Sequence, residues 1–370
     1  IDLETRDPNL LTMGSGSVRG DGEVIGIAVA VEGWSGYFPI NHEGGGNMDR
    51  ALVLDWFEEV LHTDATKIFH NAMYDVSWIR SMGYQIRGGI IDTLIAASLI
   101  DENRWGYALN TLGREYVGMG KNEKILQEAA KEWGINPKSE MWRLPAPLVG
   151  EYAEQDAVVT LKLWHALQHE ISKQDLWDVF NLETNLFPCL VDMKFKGVRV
   201  DIDKAEATKA QLVDAEKEMH RDIQKLAGFD VEIWAAASIA KAFDIVKLPY
   251  DRTEKGAPSF TKNFLATHPH ELPKLINQAR EINKANTTFI DTILKHNHKG
   301  RIHSDINQIR SDDGGTVTGR FSYSNPNLQQ IPARHKELGP LIRSLFIPEE
   351  GHKWGCFDYS QQDPRIVVHF

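Results

Sequence analysis

An α/β chain is predicted: a mixed sheet covered by helices over residues 1–170, a helical stretch over 171–300, and the opening of an α+β unit over 301–370. Three observations predict it. Two β-rich runs, Val24–Val31 and Gly36–Ile40, come first and are separated by a turn. Short apolar runs then alternate with helical periodicity between Lys67 and Ile100. From Ala108 onward the pattern is mostly helical. Strands, then strand–helix alternation, then helices suit a sheet with helices packed on it.

Ile1-Asp2-Leu3-Glu4-Thr5 reads as the first strand, with Asp2 and Glu4 on one face and Ile1 and Leu3 on the other. Only one residue precedes Asp2, so the chain looks cut there and the strand is expected to be short or frayed. A Gly-rich loop runs to Gly22, and Pro39 puts its strand near an edge or its end. Met48 to His62 is amphipathic and helical, and Lys67–Phe69 is a strand. Asn71 can cap the helix that follows. Gly88–Asp92 is another strand, with a helix to Ile100. The helical pattern from Ala108 to Gln168 breaks near Gly134–Pro137.

Leu176 to Lys194 is a further helix, and Gly197–Asp201 is extended. Asp203 is expected to cap a long helix to Leu226, whose Leu212, Ala215, Met219, Ile223 and Leu226 recur at three and four residues. Leu275, Ile282 and Phe289 recur at seven on a second long helix ending near Gly300. The two are expected to pack antiparallel. Thr253–Ser259, with its Gly and Pro, reads as a loop between them.

The composition, 42% apolar and 25% charged, is that of a globular chain rather than a disordered one. No apolar run approaches membrane-spanning length, so no membrane partner is expected. Two distant cysteines, Cys189 and Cys356, argue against a disulfide framework or zinc cluster and suit a reducing cytoplasm; a monomer is expected. His268-Pro-His270 and His296-Asn-His298 lack further ligands and read as loop and helix-end residues. A net charge of −11 counts against an unspecific nucleic-acid binder, but Lys274 to Arg310 carries seven basic residues against three acidic ones. That run is either a solvated helix face or a phosphate track.

Side-by-side carboxylates repel unless a cation joins them, and oxygen-only ligation suits a hard ion such as magnesium. Asp2-x-Glu4 is one such pair. Asn71-x3-Asp75 and Tyr152-x3-Asp156 each put two polar groups on one helical face. Singly, each also fits a solvated surface.

Together, Asp2-x-Glu4, Asn71-x3-Asp75 and Tyr152-x3-Asp156 resemble the three motifs of the DnaQ-like 3′–5′ exonucleases, in the variant with Tyr in the third motif. Asp92-Thr93 also sits where relatives carry an Asp-Thr step. The resemblance covers about the first 170 residues and implies a ribonuclease H-like sheet. It further implies two magnesium ions, with manganese able to substitute, held by Asp2, Glu4, Asp75 and Asp156. Tyr152 would aim the attacking water, and the substrate would be a single-stranded 3′ end.

Four later stretches resemble family A DNA polymerases of the bacterial DNA polymerase I and phage type. They are Gly300–His303 with Asn307-Gln308, Thr318–Ser322, Ser324–Pro332 and Asp358–Arg365. Arg320, Asn327 and Gln329 suit the minor groove, whose acceptors are similar in every base pair, and Arg334 and Arg343 suit phosphates. The resemblance implies that Arg320 meets the primer-terminal pair, Arg334 the deoxynucleoside triphosphate, and Asp358 the polymerase metals. Relatives usually carry Glu where Asp363 stands, one methylene longer, to exclude a ribose 2′-hydroxyl. The fingers and second palm Asp of relatives lie beyond Phe370. The chain is therefore expected to be a piece of a longer polymerase that binds primer-template DNA and shortens but does not extend it. A stand-alone exonuclease and a non-catalytic DNA-binding module are the competing readings.

Overall fold

The computed structural model describes residues 1–120, 123–137, 139–312, 314–333 and 335–370. Arg334, one of the expected nucleotide-binding residues, lies outside the described residues. The chain forms two compact units, Ile1–Gly197 with His303–Gln330, and Val198–Ile302 with Ile331–Phe370.

In the first unit, β1 (Asp2–Arg6), β2 (Glu23–Val31) and β3 (Trp34–Pro39) form an antiparallel sheet in the order β1-β2-β3. The expectation of a frayed first strand is not met. All five β1 residues pair with β2, and the Ile1 nitrogen donates to the Ile68 carbonyl at 2.8 Å. The register slips between Glu4 and Thr5, a bulge that twists the strand past Glu4. A short helix α1 (Leu10–Met13) interrupts the loop. Helix α2 (Arg50–His62) starts at Asp49, whose carboxylate accepts from Ala51 and Leu52 N–H, and buries Val53, Phe57 and Leu61 at four-residue spacing.

Strand β4 (Lys67–Phe69) leads into α3 (Ala72–Ser81), and β5 (Ile90–Asp92), parallel to β4, leads into α4 (Thr93–Ile100). Helices α5 (Leu109–Val117) and α6 (Lys124–Trp133) precede α7 (Ala146–Lys173), which packs on β1 to β4, and α8 (Trp177–Lys196) follows. Residue size explains how closely α7 approaches. Ala153 and Ala157, one turn apart, pack with Ala28 of β2, so no long side chain holds the helix off the sheet. The other face of β2 sends Val24, Ile27 and Val29 into a core with Phe57, Leu61 and Trp78.

The second unit begins with β6 (Val198–Arg199) and α9 (Ile202–Ala227). The cap of α9 is Asp201 rather than Asp203: its carboxylate accepts from Lys204 N–H at 2.9 Å. Asp203 sits in the first turn, where its charge still suits the helix dipole. Helix α10 (Ala236–Ile245) lies in the insert between the long helices, and Thr253–Ser259, read as a loop, is the turn of a two-strand hairpin, β7 (Asp251–Arg252) with β8 (Pro258–Ser259), whose second strand takes its last two residues. Helices α11 (Lys262–Thr267) and α12 (Glu271–Lys284) follow, and α12 continues through a π-turn at Ala285–Ile290 into α13 (Asp291–Lys295). Asn283 bonds Glu216 and Asp291 pairs with Lys209, so this helical run lies antiparallel to α9.

Strands β9 (Asn297–His298) and β10 (Arg301–Ile302) complete a small sheet with β6. His270 caps α12 through Nδ1, and the His268 ring packs against Phe243 and Phe264, so both serve structure.

The chain then returns to the first unit with β11 (Asp305–Asn307) and β12 (Ser322–Ser324), an antiparallel pair. This segment is bonded along the unit: His303 to the Lys194 carbonyl, Gln308 to Glu183, Ser98 to the Arg310 carbonyl, and Asp312 to Tyr107 N–H. Helices α14 (Leu338–Arg343) and α15 (Gln362–His369) lie in the second unit. Residues 351–370 are exposed throughout.

Candidate functional site

The alternation of β1 carries Asp2 and Glu4 to one face, and α7, seated low on alanines, brings Tyr152 and Asp156 to the same place. The Tyr152 hydroxyl bonds the Asp156 carboxylate one turn along. Burial pushes this phenol upward, and the negative charges of Asp156, Glu4 and Asp2 add to it. The phenol therefore stays protonated and can act as a donor.

Asp75 joins from α3. Its Oδ1 accepts from Leu3 N–H at 2.9 Å, between the two acids of β1. Asp75 is only 4% exposed. Burial, and next the charge of Asp2 beside it, raise its carboxyl well above the usual range. The charge of Asp2 thus acts on both Asp75 and Tyr152, and the three motif stretches meet in one region.

Asn71 does not cap α3. It stands at the cap position with φ +64° and its side chain makes no capping bond. Asp92 takes that role from twenty residues away. Its Oδ1 accepts from Asn71 and Leu94 N–H at 2.9 and 2.8 Å, and its Oδ2 from Ala72 N–H at 2.8 Å. One carboxylate so caps α3 and α4 together and fixes the helix bearing Asp75. Burial outweighs these donors and raises Asp92 to about 6. Sequence reading noted Asp92 only by its position. The signal for its role was the Asp-Thr step opening a helix straight after a strand.

Tyr37 was missed altogether. Burial raises its phenol, with Glu4 and Asp2 contributing, so it too lies beside the acids. A cleft of about 1000 Å³ in the first unit is lined by Glu4, Asn71, Tyr152, Lys194, Asp305 and Asn325, among others. The donor set is oxygen-only, buried at Glu4, Asp75 and Asp156 and half-buried at Asp2, with Asp2 and Asp75 repelling each other, which fits a hard divalent cation in kind. As placed, no three His, Cys, Asp or Glu side chains among the described residues are arranged to hold an ion.

The polymerase-like residues fall in two places. Arg320, Asn327 and Gln329 belong to the first unit and are exposed. Asn327 Oδ1 accepts from Gln329 N–H, and Gln329 Nε2 donates to the Phe321 carbonyl, so this turn is braced by the residues expected to read DNA. Asp358 and Asp363 belong to the second unit. Asp358 lies in an exposed irregular segment, not at a strand end as its apolar lead-in suggested, because no strand pairs with Trp354–Phe357 among the described residues. Asp363 is in the first turn of α15.

The basic run is not one continuous track. The Arg280 guanidinium donates to the Ile233 and Phe260 carbonyls and stacks on Trp234, and Arg301 pairs with Glu349. Lys284, Lys295 and Lys299 are exposed.

The chain joins an exonuclease-like α/β domain to a polymerase-like segment. Residues 12–172 match the family model of the 3′–5′ exonuclease, and residues 202–370 that of DNA polymerase family A. The chain belongs to DNA polymerase family A and carries a 3′–5′ exonuclease domain.

It is 36% identical over 390 residues to a DNA-directed DNA polymerase of Pseudomonas phage M6, covering 100% of this chain and 58% of that protein. It is 30% identical over 365 residues to DNA polymerase I of Pseudomonas aeruginosa, covering 94% of this chain and 39% of that protein. The chain thus spans little more than half the length of the phage relative. A solved structure, the POL domain of Pol1 from M. smegmatis in complex with DNA primer-template and dNTP, shares the fold at TM-score 0.71 and 22% identity. It covers 94% of this chain and 57% of that one. No helix among the described residues is long and apolar enough to cross a membrane.

Proposed function

We propose that the first unit hydrolyses the 3′-terminal phosphodiester of single-stranded DNA, and that Asp2, Glu4, Asp75 and Asp156 hold two divalent ions, magnesium or manganese. The observation that carries this reading is the meeting of three distant sequence stretches: Leu3 N–H holds Asp75, and the Asp2 charge acts on both Asp75 and Tyr152. Such ions, when bound, supply an activated water and neutralise charge developing on the phosphate. The chain's own groups do the rest. Tyr152, anchored to Asp156, presents a protonated hydroxyl able to orient a water. Leu3 N–H fixes Asp75 in rotation, and Asp92 fixes the helix that bears it. Buried walls raise the strength of every charge interaction in the site.

The polymerase segment is proposed to serve synthesis on primer-template DNA with deoxynucleoside triphosphates. Arg320, Asn327 and Gln329 would face the minor groove, Arg334 the triphosphate, Asp358 the polymerase metals and Asp363 the sugar. The domain limits 1–170, 171–300 and 301–370, a monomeric state and a cytoplasmic setting belong to the same proposal. The test is a 5′-labelled single-stranded oligonucleotide incubated with magnesium or with a chelator. Stepwise shortening from the 3′ end in magnesium alone is expected. An unchanged oligonucleotide in both, or internal cuts, would overturn the reading.

A further inference from the structure

Both ring nitrogens of His42 are engaged in the turn after β3. Nδ1 lies 3.0 Å from the Leu144 carbonyl and Nε2 lies 2.6 Å from the Tyr37 hydroxyl. A carbonyl only accepts, so Nδ1 carries a proton; Nε2 of the neutral ring then accepts from Tyr37. The His42 backbone is clamped as well. Its N–H donates to Asn47 Oδ1 at 2.6 Å, and its carbonyl accepts from Asn47 Nδ2 at 2.8 Å. His42 is only 3% exposed, so bulk water does not compete for these bonds.

The relay joins the two halves of the acid site. Tyr37 stands on β3 opposite Ala28, and its hydroxyl lies over Gly26, where an added Cβ would come within 2.0 Å of it. Gly26 is the direct partner of Glu4 across the β1–β2 ladder. The same Tyr37 packs in the alanine cluster beside Tyr152. At the far end, Leu144 stands two residues before α7, the helix of Tyr152 and Asp156. Backbone bonds from Glu43 to the Trp142 carbonyl and from Ala146 to the Gly45 carbonyl run alongside. Loss of the relay would therefore shift the start of α7 without freeing it.

We propose that the Tyr37–His42–Leu144 relay is a positioning device of the nuclease, setting the spacing between Asp2 and Glu4 on the strand and Tyr152 and Asp156 on the helix. The inference rests on the exonuclease reading above. Tyr37 and His42 are positioning residues. They touch neither scissile bond nor leaving nucleotide in this account, and act through the frame that holds the acids.

Tyr37→Phe and His42→Leu each cut the relay, while His42→Gln keeps one donor and one acceptor. In single-stranded DNA hydrolysis with magnesium, the first two are expected to lower kcat by about 10- to 100-fold with KM unchanged, and His42→Gln to recover much of the loss. Backbone hydrogen exchange, read without DNA or metal, should quicken at residues 144–150 and 26–28 in the two cut variants and not elsewhere. Unchanged exchange there would overturn the tie itself. Quickened exchange with an unchanged kcat would overturn its positioning role, as would losses in kcat and thermal midpoint that His42→Gln does not relieve. A wild-type chain that leaves DNA intact would overturn the exonuclease reading and the positioning role with it, while exchange would still decide whether the tie exists.

Discussion

Asp75 and Asp92 are both buried acids of the first unit, yet each has a different task. Asp75 is raised by burial and by a neighbouring charge, the state of a group awaiting a cation. Asp92 is raised by burial alone and spends both oxygens on helix ends. Its folded pKa, about 6, lies above its unfolded value, so its contribution to stability is full below the unfolded value and is lost as pH rises through about 6. The difference in unfolding free energy between wild type and Asp92→Asn should therefore change with pH between about 4 and 6 and level off above. Denaturant titrations across that window check it, and a flat difference would reject it. Tyr152 belongs to the same scale. Tyr152→Phe removes one oriented hydroxyl and should slow hydrolysis on the order of ten- to a thousandfold, with manganese affinity retained. Single-turnover rates and manganese titration by electron paramagnetic resonance measure the two separately.

Helix faces decide what the basic run does. Arg280 spends its guanidinium inside the second unit, on two carbonyls and the Trp234 ring. Arg280→Ala should lower unfolding free energy by about 1–3 kcal/mol, since two buried carbonyls lose their donors. It should leave the salt dependence of DNA binding as it was. Replacing Lys284, Lys295 and Lys299 with alanine together should do the opposite: little loss in thermal midpoint, and a flatter dependence of duplex affinity on salt. If the salt slope stays the same, those lysines form only a solvated face. The elements themselves were largely legible. Periodicity and short apolar runs indicate strands at 24–31 and 67–69, a helix over 48–62 and a mostly helical pattern over 108–168; the structure has β2, β4 and α2 within two residues of these and divides the last into α5, α6 and α7. The α9 cap was misread by two residues because Asp201 and Asp203 are equally good capping types, and only backbone geometry separates them.

Across the whole molecule, sequence spacing revealed the acids but not what holds them together. Asp2-x-Glu4 and the two four-residue motifs are local patterns, whereas Asp92 acts twenty residues from its partners and the Tyr37–His42–Leu144 relay bridges about a hundred. Such supports have no period to read, because packing decides which distant residues become neighbours. The attachment of residues 303–330 to the first unit was hidden for the same reason. One tie is Lys194, 3% exposed, paired with Asp305 at 2.8 Å.

The central claim is that Asp2 and Asp156, far apart in sequence, serve one hydrolytic site. Single-turnover release of the 3′-terminal nucleotide from single-stranded DNA, compared among wild type, Asp2→Ala and Asp156→Ala, tests it most directly. The account predicts that either substitution alone lowers the rate by orders of magnitude while circular dichroism and thermal midpoint stay near wild type. Near-normal rates in both variants would contradict it.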